Sequence, residues 1–469
     1  MIRENRLYDE LKVGDTASIK RVCTANDLYI FAHASGNLNP LHMPSEDRVS
    51  TSETIAPSMW VGALVSAVLG NILPGAGTLY KSQSFTFIDR VHVGDELSVT
   101  VTVADKLADG CVKLDTLVTA RDGDKIAEGV AEVLAPVRKV VCDDSNVPGL
   151  VVQRHQHFDR LLRSCDGLEP IVTAVVVPED KASLGGALLA AERGLIRPIL
   201  IGSAKIIAAL AKEIGANLAG VEILDIAGDD AAAAAAVELV RAGKAEAIMK
   251  GHLHTDVLLH HVVKQDSGLR THRRLSHVFV MDVPGLDHVL IVSDAAINIA
   301  PDLRAKVDIT QNAIDIAHAL GIERPKVGVL SAVETVNPAI PSTIDAAALA
   351  KMADRGQITG ADVDGPLAMD NAMDVEAAKT KGITSLVAGH AQVLIVPNLE
   401  AGNMLAKELS FVAQAEAAGL VLGATVPIIL TSRADDEKSR LASCAIAALY
   451  RAWRTGGNPR VHLVEQAAE

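Results

Sequence analysis

The chain has 469 residues and a formal net charge of −14, long enough for two or three domains and of the wrong overall sign for a nucleic-acid or anionic-membrane partner. Hydrophobic residues make up 49% and aromatics only 3%. The apolar content is mostly Ala, Val, Leu and Ile, a mixture that suits helices on parallel sheet better than an all-β sandwich.

The start, MIRENRLYDELKVGD, is polar and lacks the apolar core of a secretory signal. No apolar run reaches the length of a membrane span. Cys23, Cys111, Cys142, Cys165 and Cys444 lie far apart, without metal-ligand or disulfide spacing. A reducing cytoplasm is the expected compartment, and no metal is expected.

Residues 1–137 contain two helical patterns followed by alternating strands. Thr24 and Asp27 have capping-box spacing and mark a helix start. A second helix, near Trp60 to Leu69, is apolar almost all round and is expected to be buried. LSVTVTVAD, VKLDTLVTAR and KIAEGVAEVLAPV then alternate apolar and polar residues, with turn signals between them. Antiparallel strands around one helix give an α+β domain.

Two passages in this region, SGNLNPLH at 35–42 and MWVGALVSAVLGNILPGAGTLYKSQSFTFIDRVHVGDEL, resemble the MaoC-like (R)-specific enoyl-CoA hydratases over about 10–137. The resemblance implies a hot-dog fold. It also implies a catalytic Asp and His five apart in a D-x-N-P-x-H pattern. His42 matches the His, but Asn37 stands at the Asp position, and an amide orients water without exchanging a proton. The family's oxyanion-hole His-Gly is Pro57-Ser58 here, where Ser58 keeps a backbone N–H. Ser66 matches a residue that supports the family's Asp. Hydration by this domain is therefore doubtful. A CoA-binding or dimer-forming module and a truly bifunctional hydratase are the alternatives.

Residues 138–160 lack periodicity and read as a linker. From 161 to 469 the rhythm is β-α. IVTAVVVP, RPILIG, VEILDIA, AEAIMKG, HVLIVSDAAINI, KVGVLSA, VLIVPNL and VPIILTS read as buried parallel strands of an open α/β sheet. The alanines at 231–236 read as helix. In such a sheet, ligands bind beyond the carboxyl ends of the strands. The polar residues placed there are Lys250, Asp294, Asn298, Asn337, Glu400, Gly402, Asn403, Ser432 and Arg433, expected to meet on one rim around a phosphate-bearing ligand. Gly202-Ser203 is a further candidate phosphate turn.

GHLHTDVLL, SDAAINIAPD, NPAIPSTIDAAALAKMADRGQITGADVDGPLAMDNA, VPNLEAGNMLAKEL and VPIILTSRADD closely resemble the phosphate acetyltransferase and phosphate butyryltransferase family. The resemblance implies an isocitrate-dehydrogenase-like fold and transfer of an acyl group between coenzyme A and inorganic phosphate, with acyl phosphate as product. CoA and phosphate are then substrates, with no covalently bound cofactor. Carried over, Ser432 hydrogen-bonds the developing oxyanion and Arg433 holds phosphate or a CoA phosphate. The acetyltransferases use an Asp where this chain has Ser439, so the base is open, with Asp435 and Asp436 nearby in sequence. GHLHTDVLL and EAGNML read closer to the butyryl branch. A dehydrogenase is disfavoured by the dispersed Asp294, Asp362, Asp364 and Asp370. A non-catalytic CoA sensor or scaffold is a further alternative. A homo-oligomer, at least a dimer, is expected.

Overall fold

The structure is a computed structural model that describes residues 2–44, 54–143, 150, 152, 155–430 and 437–457. The chain forms two compact units, Met1–Val152 and Gln153–Glu469.

The first unit contains β1 (Ile2–Glu4), β2 (Thr16–Val22), α1 (Ala25–Ser35), α2 (Ser58–Asn71), β3 (Leu79–Phe87), β4 (Glu96–Lys106), β5 (Cys111–Ala120), β6 (Lys125–Leu134) and β7 (Val141–Asp143). Five strands form an antiparallel sheet in the order β2-β4-β5-β6-β3. Leu97, Val99, Val101 and Val103 of β4 point inward at every second position. They join Trp60, Val61, Val65, Val68 and Leu69 of α2 in one core. This is a hot-dog fold, a sheet around one helix. The helix is not buried all round as its composition implied. Met59, Ala63 and Ser66, at helical i, i+4, i+7 spacing, are exposed. Thr24 caps α1 by accepting from the Asp27 N–H, and Asp27 returns the bond to the Thr24 N–H.

Segment 138–160, read as a linker, carries structure at both ends. The buried Asn5 amide donates to the Ala76 and Arg138 carbonyls, and its oxygen accepts from the Val140 N–H at 3.0 Å. That pins the chain so that β7 pairs with β1. At the other end a helix begins at His157.

The second unit contains α3 (His157–Arg163), β8 (Ile171–Val176), α4 (Lys181–Glu192), β9 (Ile196–Gly202), α5 (Ala204–Ile214), β10 (Glu222–Asp225), α6 (Asp229–Arg241), β11 (Ala247–Lys250), α7 (Thr255–Val262) and β12 (Ser276–Asp282). It continues with β13 (Leu290–Ser293), α8 (Leu303–Ala319), β14 (Lys326–Leu330), α9 (Pro341–Asp354), β15 (Asp362–Leu367), α10 (Met369–Met373), α11 (Val375–Thr380), β16 (Val393–Ile395), α12 (Leu399–Phe411), β17 (Glu416–Leu422), β18 (Ile428–Ile429) and α13 (Glu437–Arg454). The strands form one 11-stranded sheet, β10-β9-β8-β11-β18-β17-β12-β13-β16-β14-β15. Alternate residues of β8 feed opposite faces: Val175 joins the core with Leu184 and Ile446, while Ala174 and Val176 join the core with Ala236 and Leu258.

The sheet is mostly parallel, but its centre is not. β18-β17, β17-β12 and β12-β13 are antiparallel. Consequently β8 to β11, β18 and β12 run one way, whereas β13, β14, β15, β16 and β17 run the other. The carboxyl ends of the two halves lie on opposite rims.

Candidate active site

The strand directions correct the expectation of a single convergent rim. Lys250, which ends β11, and the chain leaving β18 toward Ser432 and Arg433 share the first rim. Asp294 and Asn298 follow β13, Asn337 follows β14, and Glu400, Gly402 and Asn403 follow β16, so these six lie on the second. Ser432, Arg433, Asp435 and Asp436 fall outside the described residues.

On the second rim the polar atoms are engaged in building turns and helix starts. The buried Asp294 carboxylate accepts from the N–H groups of Ala296, Ile297 and Asn298 at 3.0, 3.1 and 3.0 Å, and from the Asn298 amide. Asn298 also donates to the Leu275 carbonyl and accepts from Arg274 Nε at 3.0 Å. The Asn337 side chain accepts from the Ala339 N–H, ahead of α9. Glu400 occupies the first turn of α12, and Asn403 donates to the Ala295 carbonyl at 3.3 Å. Gly402 serves packing. A Cβ there would stand 2.7 Å from Val396 and 3.0 Å from the Ala295 Cα, so only glycine lets α12 sit this close to the strand end.

The first rim is built from β8, β11, β12, β17 and the start of α13. Gly251 permits the closest backbone approach, since a Cβ there would meet the Val177 carbonyl oxygen at 2.3 Å. Its N–H donates to the Val176 carbonyl, and the His252 N–H donates to that of Val177 at 2.6 Å. His252 Nδ1 lies 3.1 Å from the Asp180 carboxylate, which also caps α4. Burial opposes ionisation of Asp180, but the Ser183 N–H and His252 outweigh it and hold the carboxyl below its ordinary range. Lys250 is buried, and its ammonium donates to the Gly251 carbonyl. The Gly202-Ser203 turn is occupied internally, because the Ser203 N–H donates to Glu179 at 2.7 Å. A phosphate would have to displace that carboxylate.

A group that sequence reasoning missed lies where β12 ends and β17 begins. Asp282 is fully buried and accepts from the His157 and Phe158 N–H groups at the start of α3, at 2.8 and 3.1 Å. His155, Asp282 and Glu416 bring three potential ligand atoms within 4.8 Å of one another. The Lys438 ammonium supplies positive charge there, 3.2 Å from Glu416 and 3.2 Å from Asp159. Burial raises the Glu416 pKa despite Lys438. Ser439, next on α13, is buried and brings no carboxylate to this rim.

In the first unit, His42 Nδ1 lies 2.8 Å from the Ile55 carbonyl. A carbonyl only accepts, so the proton sits on Nδ1 and the Nε2 lone pair is left available. Asn37 Oδ1 accepts from the Asn39 N–H at 3.3 Å, and Asn39 in turn caps the short turn that carries His42. Ser58 opens α2 with Pro57 before it. Ser66 hydrogen-bonds Tyr80, whose pKa is raised by burial in spite of that bond.

A phosphate acetyltransferase of Rhizobium meliloti is 60% identical to this chain over 297 residues, covering 63% of this chain and 94% of that protein. The Phosphate acetyl/butaryl transferase family profile matches residues 229–448. The chain belongs to the phosphate acetyl/butyryl transferase family. Among other members, a phosphate butyryltransferase of Clostridium acetobutylicum is 41% identical over 292 residues, covering 62% of this chain and 97% of that protein. A crystal structure of a branched-chain phosphotransacylase from Enterococcus faecalis V583 superposes with a TM-score of 0.53 at 29% identity, covering 60% of this chain and 99% of that one. Membership of the phosphate acetyl/butyryl transferase family accounts for the second unit; the MaoC like domain profile matches residues 12–121 in the first. Among the described residues no helix is long and apolar enough to cross a membrane.

Proposed function

We propose that this chain transfers an acyl group reversibly between coenzyme A and inorganic phosphate, on the first rim of the large sheet. The 60% identity to a phosphate acetyltransferase across nearly all of that protein carries the reading. It favours acetyl over butyryl as the acyl group, against the butyryl flavour of the motifs, because identity to the butyryltransferase is 41%. A phosphate oxygen attacks the thioester carbonyl carbon, the C–S bond breaks and CoA leaves as thiolate. Ser432 donates to the carbonyl oxygen as charge builds on it. Arg433 presents a fork of donors to phosphate. In reverse, the CoA thiol must lose its proton before attack. Glu416 supplies the rim with a carboxyl of raised pKa in place of the missing Asp at 439. Lys250 and His252 close the floor. Asp294, Asn298, Asn337, Glu400, Gly402 and Asn403 act through structure.

The first unit binds acyl-CoA and hydrates enoyl-CoA poorly, because Asn37 replaces the acid. It pairs with a second copy through the exposed edge strand β3, where Leu79 and Tyr80 are 63% and 41% exposed. The four described cysteines are free and buried, which suits a reducing cytoplasm, where CoA is available.

The test is release of CoA thiol from acetyl-, propionyl-, butyryl- and crotonyl-CoA, with and without phosphate, alongside crotonyl absorbance. Phosphate-dependent release, fastest with acetyl-CoA, is expected. Bound CoA without turnover would replace this reading with a sensor or scaffold.

A further inference from the structure

The end of β12 brings together groups that the acyl-transfer chemistry uses only in part. Asp282 closes β12 and stands opposite Glu416, the first residue of β17, in the antiparallel ladder. Directly opposed residues point to the same face of a sheet, so the two carboxyls lie side by side. His155, just ahead of α3, is held against them: its Nδ1 lies 3.3 Å from the Asp282 carbonyl. One ligand atom from each of the three lies within 4.8 Å of the others.

Asp282 is fully buried, and its two carboxylate oxygens differ. Oδ2 accepts from the His157 and Phe158 N–H groups. Oδ1 has no hydrogen-bond partner, and among the described residues no ammonium or guanidinium pairs with Asp282. A buried carboxylate oxygen left bare is costly. Lys438 does not relieve it. That ammonium lies 3.2 Å from Glu416 and 3.2 Å from Asp159, and it donates to the His155 carbonyl at 2.9 Å. Were Glu416 to turn to a bound ion, Lys438 would keep its other two partners.

The donor set fits a metal. A carbonyl only accepts, so the His155 proton sits on Nδ1 and Nε2 carries the lone pair. Metal-bound histidines commonly hold their second nitrogen in this way. One imidazole nitrogen and two carboxylate oxygens suit a zinc-class ion with three protein ligands and a fourth position for water. Zinc bonds of about 2.0–2.2 Å set tetrahedral ligand atoms roughly 3.4 Å apart. Rotation of the half-buried His155 and Glu416 side chains supplies that closure, and their partial exposure gives the ion a way in.

We propose that His155, Asp282 and Glu416 hold a divalent cation of the zinc class. Cysteine spacing carries no sign of it, because the ligands come from three distant parts of the chain. A bound ion takes the Glu416 carboxylate out of the proton transfer assigned to it, so the two roles alternate.

The experiment titrates Co2+, whose visible absorption reports its ligands, into full-length protein stripped by a chelator, and then adds Zn2+ or Mg2+ in competition. One Co2+ per chain is expected, displaced by equimolar Zn2+ but not by excess Mg2+, which prefers oxygen ligands. His155→Ala should weaken binding by about tenfold or more. Lys438→Met should strengthen it, because the competing ammonium is gone. Asp282 is left intact, since it also holds the start of α3; should His155→Ala fail to fold, Glu416→Gln takes its place with the same expected loss. Absence of Co2+ binding in wild type overturns the proposal. So does unchanged affinity in both the His155 (or Glu416) and Lys438 variants, which would mean adventitious binding at other histidines. Binding is measured without turnover, so it holds or fails independently of the acyl-transfer reading.

Discussion

His277 makes the large sheet sensitive to acid. It lies in β12 opposite Val421 of β17, at the antiparallel seam, and is buried with its Nδ1 unpartnered. Burial lowers its pKa from 6.5 to about 4, although the Asp294 carboxylate pulls the other way. An unfolded chain therefore takes up this proton first as pH falls. The stability contributed by neutral His277 is complete above pH 6.5 and is lost progressively on the way down to pH 4. Linkage with these two values gives a loss of about 2 kcal/mol by pH 5 and about 3 kcal/mol by pH 4. The chain has two tryptophans, Trp60 and Trp453, one in each unit. Trp60→Phe makes fluorescence report the large unit alone. Urea unfolding of that protein at pH 7.5 and pH 5 is compared with the same protein carrying His277→Leu. Groups common to both cancel, so the Leu variant should lose about 2 kcal/mol less between the two pH values. Equal losses in the two proteins would refute the assignment.

Ser432→Ala should lower turnover by about 100-fold with little change in KM, the loss typical of one oxyanion donor; Arg433→Ala should instead raise the KM for phosphate or CoA. Steady-state thiol release separates the two, and unchanged kinetics in both would remove the site from this segment. Asn37→Asp should restore a proton-exchanging group and raise crotonyl-CoA hydration about 100-fold or more, an increase abolished by adding His42→Ala. Gly251→Ala sets a Cβ 2.3 Å from the Val177 carbonyl. Because that neighbour is backbone, the substitution should destabilise the large unit by about 1–3 kcal/mol, read by urea unfolding, and lower acyl transfer as well.

Much of the fold was legible because its strands are short apolar runs. Ile171–Val176 and Ala247–Lys250 are buried on both faces and could hardly have been read otherwise. Ser276–Asp282 carries the same signal in VFVM, but only four apolar residues stand in a row there, directly behind a basic segment. Glu416–Leu422 was hidden because EAAG has helical composition. Strand direction has no local signature. Asp294 and Lys250 each follow an apolar run in the same way, yet three antiparallel pairings between them put them on opposite rims. Asp282 and Glu416 were invisible for a related reason: they meet only because β12 ends where β17 begins.

The order of synthesis meets an obstacle in the position of β18. It is inserted between β11 and β17, roughly 180 residues after the strand it completes, and α13 behind it covers α3, α4 and α8. Until β18 and α13 leave the ribosome, β11 has an open edge and the helices around it have an uncovered apolar face. The hot-dog unit, made first and closed on local antiparallel pairings, can be complete while the large sheet is still waiting. A nascent chain stalled before Ile428 would then hold a folded N-terminal unit beside a protease-sensitive half-sheet, vulnerable to aggregation through that unfilled slot.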